Sequence, residues 1–321
     1  MVFHGLYRRI VLNLLIIVFF LFILLILYHV SIYHKPWSPI LGSYRVVRVS
    51  AVVLSGIVLG FTGTYLQGCL RNPLVDHYIL GIGSGALFAV YLSIYILGYN
   101  VYLASLTAII GGLTALAITT VLAESIGGSD SAYVLAGLGV NSLFSGLSIL
   151  FIYLVASKYP YAVYLLIGSF ITASSKQYPL LFLAIAMVLI VYPFIAKPLN
   201  TLILGDEYAK QLGYSPRTYR LLAVIVSGIA SSLIVSCYGL IGFIGLLSPH
   251  IARFTFKTID HRIVSPLSAI ISAIILLLTD DFTRIFLSEY VGEIPAGAIV
   301  SVFGAPFFLA LILTRFKRGL R

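Results

Sequence analysis

The sequence predicts an all-α integral membrane protein of about ten transmembrane helices, and three observations carry that reading. Of its 321 residues, 60% are hydrophobic and 9% are charged, where a soluble domain carries roughly a quarter charged. The mean hydropathy is +1.09. Ten apolar runs, most of them near the roughly 20 residues a spanning helix needs, are separated by short polar or glycine-containing breaks. Together these exclude a water-soluble enzyme, a nucleic-acid-binding module and a disordered chain. The runs leave no room for a soluble domain, so residues 1–321 read as one transmembrane domain.

The first run, Ile10–Tyr33, follows Arg8 and Arg9. It is longer than a signal-peptide core and no small-residue cleavage site follows it, so it reads as a retained helix with the arginine pair as topology anchor. In Val46–Leu66, Gly56 and Gly60 form a small-xxx-small pair that lets helices approach closely. Ile79–Leu97 contains Gly81, Gly83 and Gly85, which look like a phosphate loop but lack any βαβ context and read as packing residues. Gly98, Tyr99 and Asn100 turn the chain into Val101–Glu124. Ala132–Ala156, Tyr178–Lys197 and Arg220–Tyr238 follow. Leu240–Phe256 is the weakest run, because Pro249, His250 and Arg253 interrupt it. Val264–Asp281 and Pro295–Thr314 complete the series.

Ten passes place both termini on one side of the membrane. Both are basic, with Arg8 and Arg9 at one end and Arg315, Lys317, Arg318 and Arg321 at the other. The positive-inside rule therefore puts both in the cytoplasm. Lys35, Arg45, Arg48, Lys158, Lys176 and Arg284 fall outside on this map; the other 14 of the 20 cations fall inside. Each acid lies in a loop or near a helix end, so the buried mid-membrane carboxylate of many ion-coupled carriers is not expected. An ion-gradient-driven secondary transporter is thereby the alternative rather than the leading reading. The chain has no Gly-Lys dipeptide and so no P-loop. Cys69 and Cys237 read as packing residues, His250 and His261 lack a third ligand at metal spacing, and no nucleophile–base pair is evident. The expectation is a chain that is not an enzyme and binds no metal or cofactor of its own.

Four polar or Gly/Pro-rich stretches stand out. Gln67 to Asp76, with Asn72 and Pro73, leads into Leu80-Gly81 and Gly85-Ala86. Leu204-Gly205-Asp206-Glu207-Tyr208-Ala209 runs to Leu212-Gly213. Gly242 to Arg253 includes Pro249 and His250, and is followed by Asp260-His261-Arg262 and Pro266. Asp280, Arg284 and Glu293 to Gly297 lead to Gly304-Ala305-Pro306-Phe307-Phe308. In this order, from about Arg45 to Leu313, they resemble the permease subunit of type II ABC importers, the FecCD or BtuC-like family. Departures are mild: Val75 stands for the usual Ala, His77 for a usual Pro, and Val47 where a Pro often separates two arginines.

The resemblance implies a homodimer of ten-helix subunits with a BtuC-like fold in the cell membrane. Two ABC ATPase subunits would hold ATP and Mg, and an extracellular or periplasmic binding protein would deliver the cargo. That cargo is implied to be a metal chelate (ferric siderophore, haem or corrinoid), though some relatives carry an oxyanion such as molybdate. The 197–220 segment is implied to be the coupling loop seated on the ATPase, with Asp206, Glu207, Tyr208, Ala209, Leu212 and Gly213 as candidates; ordinary helix capping explains the same acids and glycine. Arg45, Arg48 and Arg284 correspond to arginines that receive acids of the binding protein, against the alternative of interfacial snorkelling. Ser129, Asp130 and Ser131 resemble the cytoplasmic gate, although Asp130 also suits a helix N-cap. Gly168 and Ser169 resemble a vestibule lining. Gln67, Asn72, Pro73, Pro249, His250 and Arg253 belong to pathway or supporting motifs.

Overall fold

The computed structural model describes residues 2–34 and 38–319, and every regular element among them is helical. The helices are α1 (Val2–Tyr33), α2 (Pro39–Cys69), α3 (Ile82–Leu97), α4 (Val101–Ser125) and α5 (Asp130–Ala156). A short α6 (Val163–Ile167) precedes α7 (Tyr178–Leu204), α8 (Asp206–Gln211), α9 (Pro216–Tyr238) and α10 (Ile244–Phe256). Last come α11 (His261–Asp281), a π-turn over Phe282–Leu287, α12 (Ser288–Val291) and α13 (Ala296–Gly319). Each of the ten apolar runs has its helix. Seven are long and apolar enough to cross a membrane, and α3 and the apolar part of α13 are shorter apolar helices.

Capping chemistry sets the ends. Ser38, Asn100, Ser129 and Asp260 each accept a backbone N–H at the start of α2, α4, α5 and α11. Proline in the first turn starts α2, α7 and α9, where a missing N–H costs nothing.

The core forms around α2, which packs against α11, α9, α7 and α10, while α9 also joins it to the α3–α4–α5 group. Burial follows that arrangement: 67% of the apolar window in α2 and 72% in α9 and α11 lie inside the chain, against 17% for α1 and 28% for α5. The glycine pair explains the closeness of α2 and α11. A Cβ on Gly56 would stand 2.5 Å from the Cα of Ala273, and one on Gly60 would stand 2.6 Å from that of Ala269. Gly85 and Gly111 bring α3 and α4 together in the same way. Lipid and side chain are equally apolar, so close backbone packing of this sort is what holds membrane helices together.

The weakest run is the main departure. α10 has 13 residues, about 20 Å of helix, short of the roughly 30 Å hydrocarbon core. The chain before it, from Gly239 to Phe243, is not helical. Irregular backbone inside a membrane protein must be satisfied internally, and three distant segments do this together. Leu240 N–H donates to Leu165 O at 3.0 Å, Ser169 N–H to Tyr238 O at 2.9 Å, and Gly297 N–H to Gly168 O at 2.9 Å. Gly239 has φ +79° and lies so close to Leu165 O that a Cβ would be 2.0 Å from it, so only glycine fits there.

Candidate functional site

The functional candidates fall at two opposite ends of the helices. At the end bearing α8, the chain leaves α7, makes the six residues of α8, and turns into α9. Asp206 at the start of α8 forms a two-point ion pair with Arg220 on α9, with oxygen–nitrogen distances of 2.8 and 2.5 Å. Arg71 reaches the same carboxylate at 3.7 Å. The hydrogen bonds from Arg220 hold the Asp206 carboxyl below its usual range. Arg220 also donates from Nε to Cys69 O at 3.0 Å, so α8, α9 and the end of α2 are tied through one guanidinium. Tyr214 N–H returns to Ala209 O at 3.0 Å, and Gly213, at φ +82°, supplies the left-handed turn that permits it.

The exposed face of this segment is smaller than the sequence suggested. Glu207, Tyr208, Lys210, Leu212 and Gly213 face outward. Ala209 is fully buried, and Asp206 is occupied by Arg220. Ala209 is corrected from a contact candidate to a residue that fixes the segment, because this six-residue helix must bury a side to stay in place. A cavity of about 500 Å³ separates α8 from the α4–α5 turn, with Asp206, Lys210 and Arg220 on one side and Glu124 and Tyr133 on the other. In that turn Ser129 caps α5 by accepting from Ala132 N–H at 3.2 Å, Ser131 is exposed, and Tyr133 donates to Glu124 at 2.5 Å. Asp130 is the first residue of α5, and its side chain lies outside the described residues.

The supporting motifs cluster beneath. Gln67 Nε2 donates to Gly245 O at 3.4 Å, and Arg253 Nη2 donates to Gln67 Oε1. Asn72 is buried and accepts from Leu74 N–H at 2.9 Å. Pro249 is buried, and His250 Nδ1 lies 2.8 Å from Leu246 O. Gly168 and Ser169 sit in the junction of unwound segments described above.

At the far end the three arginines do not form an exposed row. Arg48 is 2% exposed and meets Asp280, which is 0% exposed, through Nη2 at 2.7 Å and Nε at 3.0 Å. Arg48 also pairs with Glu293. Arg45 Nη1 donates to His34 O at 2.6 Å. Arg284 donates to Asp281 at 2.6 Å and to Ser31 O at 3.0 Å, while Ser31 donates to Asp281. The expectation for Arg48 is corrected: its charge neutralises a buried acid of its own chain, and it joins α2 to α11. Arg45 and Arg284 are also largely buried, but Nε and Nη1 of Arg284 have no partner among the described residues.

Two acids are buried, although both lie near helix ends as the sequence placed them. Asp280 is neutralised by Arg48; Asp76 is 0% exposed and uses Oδ1 to accept from Tyr78 and Ile79 N–H at 3.0 and 2.8 Å. Both were placed correctly near helix ends, but sequence position does not report depth. The asparagine–proline–leucine turn around Asn72 was the signal that Asp76 lies in an ordered, folded segment.

Comparison with known proteins matches the FecCD transport family over residues 11–314. The vitamin B12 import system permease of Salmonella typhi is 35% identical over 275 residues, covering 84% of this chain and 82% of that protein. The hemin transport system permease of Yersinia pestis is 33% identical over 278 residues, covering 84% and 81%. A solved inward-facing transporter described as metal-chelate type superposes with a TM-score of 0.79 at 28% identity, covering 94% of this chain and 99% of that one.

Proposed function

Since this chain belongs to the FecCD transport family, we propose that it is the pathway-forming permease of an ATP-driven importer of metal chelates. It is a multi-pass membrane protein and a permease component, not a catalytic one. The observation that carries the mechanism is the α8 segment. Its base is anchored to α9 and α2 by Asp206 and Arg220, while Glu207, Tyr208, Lys210 and Leu212 stand outward.

That is the construction a force-transmitting contact needs. A docked ATPase dimer that closes on ATP pushes on the outward residues. The anchored base passes the displacement into α9 as a rigid body rather than losing it in a loose loop. The α8 end is then cytoplasmic, and two copies of the chain enclose the passage. A loaded binding protein docks on the far end, where Lys158 and Lys176 are exposed. Charged contacts of this kind orient docking more than they add affinity. Ferric siderophore, haem and corrinoid are the cargo classes in view.

The test is purification of the tagged chain in mild detergent, followed by mass spectrometry of what accompanies it. A stoichiometric P-loop ATPase, and uptake of a metal chelate into proteoliposomes only with ATP inside and binding protein outside, support the proposal. Uptake driven by an ion gradient without any ATPase would overturn it.

A further inference from the structure

The α8 end holds a second cavity, of about 330 Å³, that the coupling segment does not use. Its lining holds two cations, Arg71 and Arg253, beside the rings of His250 and His261 and the amide of Gln67, and no carboxylate lines it. The two acids beside it are already engaged: Asp206 by Arg220, and Asp260 by Arg262 and Asn200. Arg253 meets the amide oxygen of Gln67 and pairs with no carboxylate among the described residues. Gln67 is held for this by its bond to Gly245 O. Gly68 leaves room for the ring of His261 at the wall, since a Cβ there would lie 2.7 Å from it.

Two guanidiniums and no carboxylate in its lining make the cavity suited to an anion. Its mouth indicates which anion. Ile203 and Ile259 line it, Ile259 is 59% exposed, and the neighbouring Leu204 and Phe254 are 63% and 86% exposed. A small hydrated ion gains nothing from that apolar rim, whereas a phospholipid places its phosphate inside and its acyl chains over the isoleucines. We propose that this cavity binds the phosphate of an anionic lipid from the leaflet at the α8 end, with Arg71 and Arg253 donating to its oxygens. Basic pockets between membrane helices suit such headgroups, and two guanidiniums match phosphate oxygens better than point charges do. Arg71 also touches Asp206, so an occupied site sits directly beside the anchor of α8.

The experiment uses the full chain in nanodiscs of phosphatidylcholine doped with phosphatidylglycerol, with retained lipid read by native mass spectrometry. The wild type is expected to retain phosphatidylglycerol in preference to phosphatidylcholine. Arg71→Gln alters a half-exposed side chain and so should keep the fold. It should weaken phosphatidylglycerol binding about tenfold, equivalent to one lost charge-assisted contact, and leave phosphatidylcholine unaffected. Arg253→Gln should do the same or more. Equal retention in wild type and Arg71→Gln overturns the proposal. So does inorganic phosphate displacing the lipid as effectively as soluble short-chain phosphatidylglycerol does, which would assign the cavity to free phosphate. No transport is measured, so failure here leaves the importer reading intact.

Discussion

Replacing Arg48 with methionine isolates what the buried pair at the far end does. Arg48 and Asp280 are 2% and 0% exposed, and three hydrogen bonds of 2.7, 3.0 and 3.3 Å join them. At an effective dielectric of about 20, opposite charges near 4 Å attract by about 4 kcal/mol. Removing one partner leaves Asp280 charged and buried, and breaking such pairs costs about 3–5 kcal/mol. The expected loss for Arg48→Met is therefore about 3–5 kcal/mol. The double change Arg48→Met with Asp280→Leu removes the buried pair and leaves only Glu293, which is 29% exposed and reaches water, so it should recover most of that loss, since hydrophobic replacement of a buried pair is often neutral. Unfolding would be followed by denaturant titration in detergent micelles, with helical circular dichroism as the signal. A single variant within about 1 kcal/mol of wild type, a loss typical of an exposed pair, would refute the argument that Arg48 serves its own chain first.

Further predictions concern the α8 end and the core. Arg220→Gln should cost only about 1 kcal/mol, because the pair with Asp206 is partly exposed, yet it should uncouple ATP hydrolysis from uptake in proteoliposomes by freeing the base of α8. Asp260 is pushed up by desolvation but held lower, at about 2, by bonds from Arg262 and Asn200. Its stabilisation is therefore complete above its ordinary value of 3.8 and lost as pH falls through about 2. Asp260→Asn should flatten unfolding midpoints across that window. Gly60→Leu should cost about 1–3 kcal/mol or more by forcing α2 from α11, whereas Gly139→Ala, with nothing within 4 Å of its Cβ, should leave the unfolding midpoint unchanged.

The helices were legible where apolarity was continuous and a cap or turn closed it. The run Ala132–Ala156 became Asp130–Ala156, differing only by the turn after Ser129. The run beginning at Val46 in fact starts at Pro39, because Arg45 and the polar residues before it broke the apolar pattern while remaining inside the helix. Their partners were invisible for a physical reason: Arg48 and Asp280 are 232 positions apart, and pairing across that span is tertiary. The five-residue α6 is too short to show a helical period. At the α8 end the sequence marked the right segment, since acids, Gly213 and Pro216 bracket it, but not which side is buried. Ala209 and Leu212 are both small or apolar, and only packing distinguishes the inward one from the outward one. The anion cavity was not legible as a unit, because Arg71, Arg253 and His261 come from three separate elements.

The junction of Leu165 to Ser169, Tyr238 to Leu240, and Gly297 bears on how the chain is made. Each segment leaves backbone groups that the others satisfy, and Gly297 is made after the other two segments. Before α13 is translated, the Gly168 carbonyl between α6 and α7 already lies among membrane helices without the amide that will satisfy it. A nascent chain ending before Gly297 should therefore stay bound to the insertion machinery or be degraded, even though nearly all its apolar helices exist. Biogenesis would then have a late checkpoint, passed when the final helix delivers one backbone amide to Gly168.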